Sequence, residues 1–312
     1  MEIRKKILGC LGRMPEKPDN PDVRVLEVYE SGTHERRLIE YTVEEGERVT
    51  AWLLVPTGME GKRPAIVASH QHAGEYHLGK SEPAGLSRNA MYHYGLELCQ
   101  RGYVVICPDH LGFEDRRPKE FLRRENGALE EGHYERLLFC RYIANGSTLQ
   151  AKYLSDLTVA VDVLTDLPFV DKENIGAIGH SLGGQETLWL TWFDHRVKAA
   201  VSSCGFGQIG SIFRDNVAHN LAMFTFDFLN QAGDVHALVE GIAPRAFMML
   251  NGTKDPLFPM DGVDDIIGKA EACYAEAGVP ERFKAIVFPA EHCFPPDIRE
   301  EAYQFLDRYL MK

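Results

Sequence analysis

No apolar run in this sequence approaches the ~20 residues that a helix needs to cross a bilayer, so a membrane-embedded role is not expected. The first ten residues, Met-Glu-Ile-Arg-Lys-Lys-Ile-Leu-Gly-Cys, have too short an apolar stretch for a secretory leader. Paired cysteine spacing is missing as well. Cys10, Cys99, Cys107, Cys140, Cys204, Cys273 and Cys293 are odd in number, which argues against a disulfide framework and fits a reducing, cytoplasmic setting. Positive charge is in deficit, with a net charge of −12. Nucleic acid and anionic membranes are therefore not expected as partners, since both require a concentrated basic face. No repeat of fixed period is visible, which sets aside solenoids and propellers. Whether the chain forms an oligomer is not readable from these features.

What the sequence does hold is enough apolar material for a full core, 45% over 312 residues, and one large domain suits it better than two small ones. After a polar, Pro-rich start that marks residues 1–24 as an N-terminal extension, segments 24–30, 36–43 and 47–55 read as strands. The last two flank Glu44-Glu45-Gly46-Glu47, a hairpin signal. Strands at 65–69, 103–107, 174–178, 197–202, 246–251 and 283–288 then alternate with helices near 87–101, 150–166, 182 onward, 261–277 and 297–310. Such alternation predicts an α/β fold over 25–312: a mostly parallel sheet of about eight strands flanked by helices, with an antiparallel N-terminal edge. Residues 112–149 and the Phe-rich 204–245 are too long for simple connections. Both leave the carboxyl ends of strands, so they are expected to cover the active site in part, with peripheral helices an equal alternative for 112–149. The basic run Arg116, Arg117, Arg123, Arg124 reads as a solvated helix face.

Residues 175–184, Ile-Gly-Ala-Ile-Gly-His-Ser-Leu-Gly-Gly, run an apolar strand into a Gly-x-Ser-x-Gly turn and on into a helix. That context is a nucleophile elbow: Gly179 and Gly183 allow strand and helix to approach closely, and Ser181 is pushed outward. A serine hydroxyl must hand its proton to a base before it can attack. Two later strands each release a suitable group at their carboxyl end, Asp255 in Thr-Lys-Asp-Pro-Leu-Phe-Pro and His292 in Ala-Glu-His-Cys-Phe. Asp227, Asp261 and Asp264 are the spare carboxylates. The order Ser, Asp, His is that of α/β-hydrolases and not of chymotrypsin-like or subtilisin-like enzymes.

On these motifs, with Ala-Ile-Val-Ala-Ser-His-Gln-His at 65–72, Gly-Tyr-Val-Val-Ile-Cys-Pro-Asp at 102–109 and Ala-Pro-Arg at 243–245, the chain from about Leu38 onward resembles α/β-hydrolases of the dienelactone-hydrolase-like group. It is most similar to the branch containing acetyl-xylan-esterase-related carboxylesterases. Two departures stand out. Dienelactone hydrolase proper uses a cysteine nucleophile where this chain has Ser181, and the loop that often reads His-Gly in relatives here reads His70-Gln71-His72.

The reading that follows is a serine hydrolase acting on small-molecule carboxylic esters through an acyl-enzyme, with small acyl groups implied by the resemblance alone. Ser181 is the expected nucleophile, His292 the base and Asp255 its orienting acid. Backbone N–H groups of Leu182 and of Gln71 or His72 are expected to form the oxyanion hole. No cofactor is required, and a metal is not expected. His70, His72 and His77 lack a Cys or carboxylate partner at matching spacing, and His70 reads better as a packed residue orienting the oxyanion loop. The alternatives are a peptidase of the prolyl-oligopeptidase kind and a non-catalytic ligand-binding scaffold. The first lacks its propeller here, and the second would have little reason to keep Ser181, Asp255 and His292 together.

Overall fold

The structure is a computed structural model describing residues 2–58, 60–118 and 132–311. In chain order the elements are α1 (Glu2–Cys10), β1 (Arg24–Glu30), β2 (His34–Glu44), β3 (Glu47–Pro56), β4 (Arg63–Ser69), α2 (Tyr94–Gln100), β5 (Val104–Pro108), α3 (Gly132–Ala144), α4 (Leu149–Asp166), β6 (Val170–His180), α5 (Leu182–Phe193), β7 (Val197–Ser203), α6 (Ile209–Arg214), α7 (Phe228–Ala232), α8 (His236–Glu240), β8 (Ala246–Gly252), α9 (Met260–Glu276), β9 (Phe283–Phe288) and α10 (Pro296–Leu310). Among the described residues nine strands form one sheet, in the order β1-β2-β3-β5-β4-β6-β7-β8-β9. The pairs from β1 to β5 are antiparallel, and the remainder are parallel.

Side chains alternate across the central strands, so each strand feeds two cores. Ala65, Val67, Ile175, Ala177, Phe247 and Met249 enter one layer, with α4 and α5, whereas Ile66, Ala68, Ile178, Met248 and Leu250 enter the other, with α2 and α10. Helix α5 is buried from Leu182 through Trp192, which explains why its sequence shows no solvent-facing polar stripe. Its C-terminal end is held from the N-terminal segment. The Arg4 guanidinium donates to the Trp192 and Phe193 carbonyls at 2.7 and 2.8 Å and lies 4.5 Å from the Trp192 ring centroid, a cation placed where the helix dipole is negative.

The nine strands coincide with the nine segments read from the sequence. Two details differ from expectation. The helix expected near 87–101 is confined to Tyr94–Gln100, because Asn89 accepts the Met91 N–H through its side chain and starts a separate 3-10 turn, Ala90–Tyr92. Within the basic run, Arg116 is buried and not solvated: it donates to the Asp109 carbonyl and pairs with Asp156 at 2.8 Å and with Glu47. Glu47 and Asp156 also pair with the fully buried Lys152 ammonium at 3.0 and 2.9 Å, so hairpin and α4 together build a niche for two cations. Arg123 and Arg124 lie outside the described residues.

Behind the start of α5, Glu186 is fully buried and accepts from Gln150 at 2.8 Å and Gln185 at 3.3 Å. Burial, opposed only in part by these amides, pushes its carboxyl up from 4.5 to about 8. Between those values the unfolded chain has released the proton and the folded chain still holds it, so this group's contribution to stability falls as pH rises, by about 1.4 kcal/mol per pH unit. Glu186→Gln should therefore melt progressively higher than wild type as pH is raised from 5 to 8, a trend that thermal denaturation at fixed ionic strength will read.

Candidate functional site

Register brings the site together. Ser69 pairs opposite Gly179, His180 opposite Ser203, Ser203 opposite Leu250 and Gly252 opposite Phe288, so β4, β6, β7, β8 and β9 end level and release their loops from one edge. At β4 the strand order reverses, β5 lying on one side and β6 on the other, and such a reversal opens a crevice at the carboxyl ends.

At the end of β6 the chain turns directly into α5. A Cβ at Gly179 would run into the Gly183 carbonyl, and one at Gly183 into the Ser69 carbonyl, which is why both positions are glycine. Between them Ser181 adopts φ 56° and ψ −122°, strained for a residue with a Cβ and typically costing about 1–3 kcal/mol. Its N–H is anchored to the Ser203 carbonyl at 2.9 Å. Leu182, as the first residue of α5, carries an N–H with no acceptor in the preceding turn.

The structure brings two of the three expected triad residues into direct contact. His292 Nδ1 lies 2.7 Å from Asp255 Oδ2, with Asp255 buried and its Oδ1 accepting the Leu257 N–H at 2.9 Å. A carboxylate on Nδ1 fixes that proton and leaves Nε2 as a bare acceptor. Nε2 is buried and has no hydrogen-bond partner, so Ser181 Oγ is not bonded to it in this arrangement. The ring of His180, the residue before Ser181, is nonetheless 4.8 Å from that of His292, and Tyr92 stacks on its other side at 4.9 Å. The spare carboxylates are elsewhere: Asp261 pairs with Arg214, Asp227 bonds Asn230 and Gln231, and Asp264 is exposed.

In the 70–72 loop His70 Nδ1 bonds the Gln71 carbonyl at 2.7 Å, and His70 Nε2 accepts the His110 N–H at 3.1 Å. Burial pushes this imidazole down to about 4, so it is a neutral brace for the loop. The Gln71 side chain bonds Glu82, whose carboxyl burial raises to about 7. His72 accepts the Gly74 N–H at Nδ1 and bonds Glu135 at Nε2, 3.0 Å away. His77 is exposed. Hence the three histidines do not gather as ligands. Among the described residues the candidate metal-ligand clusters are Asp109, Glu114 and Asp115, already filled by the Lys80 ammonium, and Cys204, Asp255 and His292, in which His292 Nδ1 is already bonded to Asp255.

Some contributors left no mark in the sequence. Glu135 of α3 accepts from His72, from the Tyr76 hydroxyl at 2.7 Å and from the Leu221 N–H at 2.8 Å, joining the 70–76 loop to both long connections. Burial would raise this carboxyl, but the three donors hold it below the ordinary range. Cys204, at φ 44°, lies against the Asp255–His292 pair, and burial together with Asp255 pushes its thiol up to about 12. A lone Glu or Cys has no motif to betray it; only the fold places these two.

The sequence pattern of the acetyl xylan esterase family matches residues 20–209. The chain belongs to that family. It is a carboxylic ester hydrolase. A second pattern, that of the C-terminal part of BAAT and acyl-CoA thioester hydrolases, matches residues 154–267. This esterase is 28% identical over 99% of both chains to YtaP of Bacillus subtilis (strain 168). In fold it is similar to a glucuronoyl esterase from Solibacter usitatus (TM-score 0.70, 14% identity, 98% of this chain and 91% of that one). Similar too is acetyl xylan esterase 1 from Thermoanaerobacterium sp. JW/SL YS485 (TM-score 0.61, 16% identity, 100% and 99%). No described helix is long and apolar enough to cross a membrane.

The strained elbow separates two substitutions that both delete the hydroxyl. Ser181→Ala keeps a Cβ at positive φ and should melt near wild type, whereas Ser181→Gly should be more stable than the Ala variant by about 1 kcal/mol. Paired melting curves check this.

Proposed function

We propose that the esterase works by nucleophilic catalysis with Ser181, His292 and Asp255, on small-molecule carboxylic esters with small acyl groups. The observation that carries this reading is the bare, buried Nε2 of His292, held ready by the bond from Nδ1 to Asp255, on the same sheet edge as a strained, half-buried elbow serine. Ser181 Oγ attacks the acyl carbonyl as its proton passes to His292 Nε2, and Asp255 stabilises the resulting imidazolium. The tetrahedral intermediate collapses by returning that proton to the departing alcohol. Water then attacks the acyl-enzyme, gives its proton to the same nitrogen, and restores the serine as the acid leaves.

Negative charge on the carbonyl oxygen needs preorganised donors. Leu182 N–H at the start of α5 supplies one, aided by the helix dipole. For the second, the bond from His70 to the Gln71 carbonyl fixes the plane of the Gln71–His72 peptide. In a trans peptide the His72 N–H then points away from the His70 ring, which favours His72 over Gln71. The long connections 112–149 and 204–245 act as partial cover, a role supported by Glu135, which joins their described parts beside this loop.

Three measurements test the reading. Ser181→Ala should lower kcat/KM on 4-nitrophenyl acetate by at least about 10⁴-fold; undiminished turnover removes Ser181 as nucleophile. Short acyl esters, longer acyl esters and a peptide substrate assayed side by side should favour the short esters, with no change on adding a chelator. Peptide cleavage at a comparable rate, or inhibition reversed by a divalent metal, would overturn the proposal. Activity should rise with pH as the imidazole base loses its proton. Because Glu82 is pushed up to about 7, the limb must persist in Glu82→Gln to belong to the histidine.

A further inference from the structure

His219 lies in the second long connection and takes no part in the catalytic cycle above. Its ring is 5.0 Å from that of Phe258, which is in turn 6.1 Å from His292. His292, His72, Asp255 and Glu135 all lie within electrostatic reach of it. The neighbouring amide fixes which nitrogen carries its proton. Asn220 Oδ1 accepts the Met223 N–H at 3.1 Å, so the amide nitrogen faces the other way and donates to Gln185 Oε1 at 3.2 Å and His219 Nδ1 at 3.0 Å. A nitrogen that accepts has no hydrogen, so the proton of the neutral ring is on Nε2. Burial keeps that ring neutral by pushing it down to about 4. Nε2 is itself buried and has no partner. A buried N–H without an acceptor is costly, and its natural acceptor here is an atom that does not belong to the chain.

We propose that the Nε2–H of His219 is a substrate-recognition donor, taking a neutral oxygen of the bound ester (ether, hydroxyl or carbonyl) other than the scissile carbonyl oxygen. This rests on the Ser181 reading of the site and adds the substrate class to it. A carboxylate-bearing ester would be a poor match, since the donor is uncharged and Asp255 and Glu135 are near. Gln185, which receives the Asn220 amide, sits one turn after Ser181 and bonds its carbonyl through N–H at 3.0 Å, so this donor is braced by the helix that carries the nucleophile.

Isosteric ester pairs that differ by one oxygen for one methylene test the proposal: 4-nitrophenyl methoxyacetate against 4-nitrophenyl butyrate for the acyl side, and 2-methoxyethyl acetate against butyl acetate for the alcohol side. The ratio of kcat/KM within a pair is the readout. In His219→Phe the ratio should fall about tenfold or more for one of the pairs, with the hydrocarbon member changed less than about twofold, because a site built to bond an oxygen loses discrimination when its donor is removed. His219→Gln, which returns an amide N–H to the reach of Nε2, should recover the ratio, whereas His219→Asn, which reaches only as far as Nδ1, should not. Ratios unchanged in both pairs, or equal losses on both members, overturn the proposal. Ser181→Ala in parallel keeps the two readings apart: turnover surviving there removes the nucleophile and leaves the ratios of the His219 variants to be judged on their own.

Discussion

The close approach of β6, α5 and the end of β4 is the constraint from which the rest of the site derives. Only glycine fits at 179 and 183, because the Gly183 and Ser69 carbonyls occupy the space a side chain would need. With both flanks pressed in, Ser181 can leave only outward, and it does so at a backbone angle that the surrounding sheet imposes. The same proximity sets the start of α5 against the Ser69 and His70 carbonyls at the head of the 70–72 loop. Level strand ends then fix the positions of Asp255 and His292.

A second property of this edge is the shortage of positive charge among its many imidazoles. His70, His110, His180 and His219 are all lowered, by burial first and then by charged or imidazole neighbours. They are held as neutral plates against other rings, His180 stacked on Tyr92 at 4.9 Å and His219 tilted against Phe258 at 5.0 Å. A cluster of cations there would compete with His292 for the Asp255 carboxylate and would favour solvent entry. Kept neutral, these neighbours leave the Asp255 carboxylate to the His292 ring.

The parts legible in the sequence are those where backbone geometry or chain order dictates the residue. Gly179 and Gly183 announce the elbow because nothing else fits, and Asp255 and His292 follow strands in the order the fold permits. Short continuous apolar runs exposed the parallel strands because both faces of each are buried. What the sequence hid is set by contacts between distant segments. Arg116 looks like a surface arginine until Glu47 and Asp156, separated from it by tens of residues, are folded around it. Glu135 and His219 carry no motif, and their roles arise only where two long connections meet the 70–76 loop. The shortened α2 has a local cause, an Asn side chain that captures the backbone one turn early.

Helix α5 spans roughly 18 Å from Leu182 to Phe193 at 1.5 Å per residue. One end abuts the elbow, and the other is clamped by Arg4. The helix that begins at Ser181 is thus closed by a residue 188 positions before the carbonyl it holds, and α1 is mechanically continuous with the elbow. Strain imposed by the sheet at one terminus of the rod meets a fixed stop at the other, so the helix cannot relieve it by sliding along its own axis.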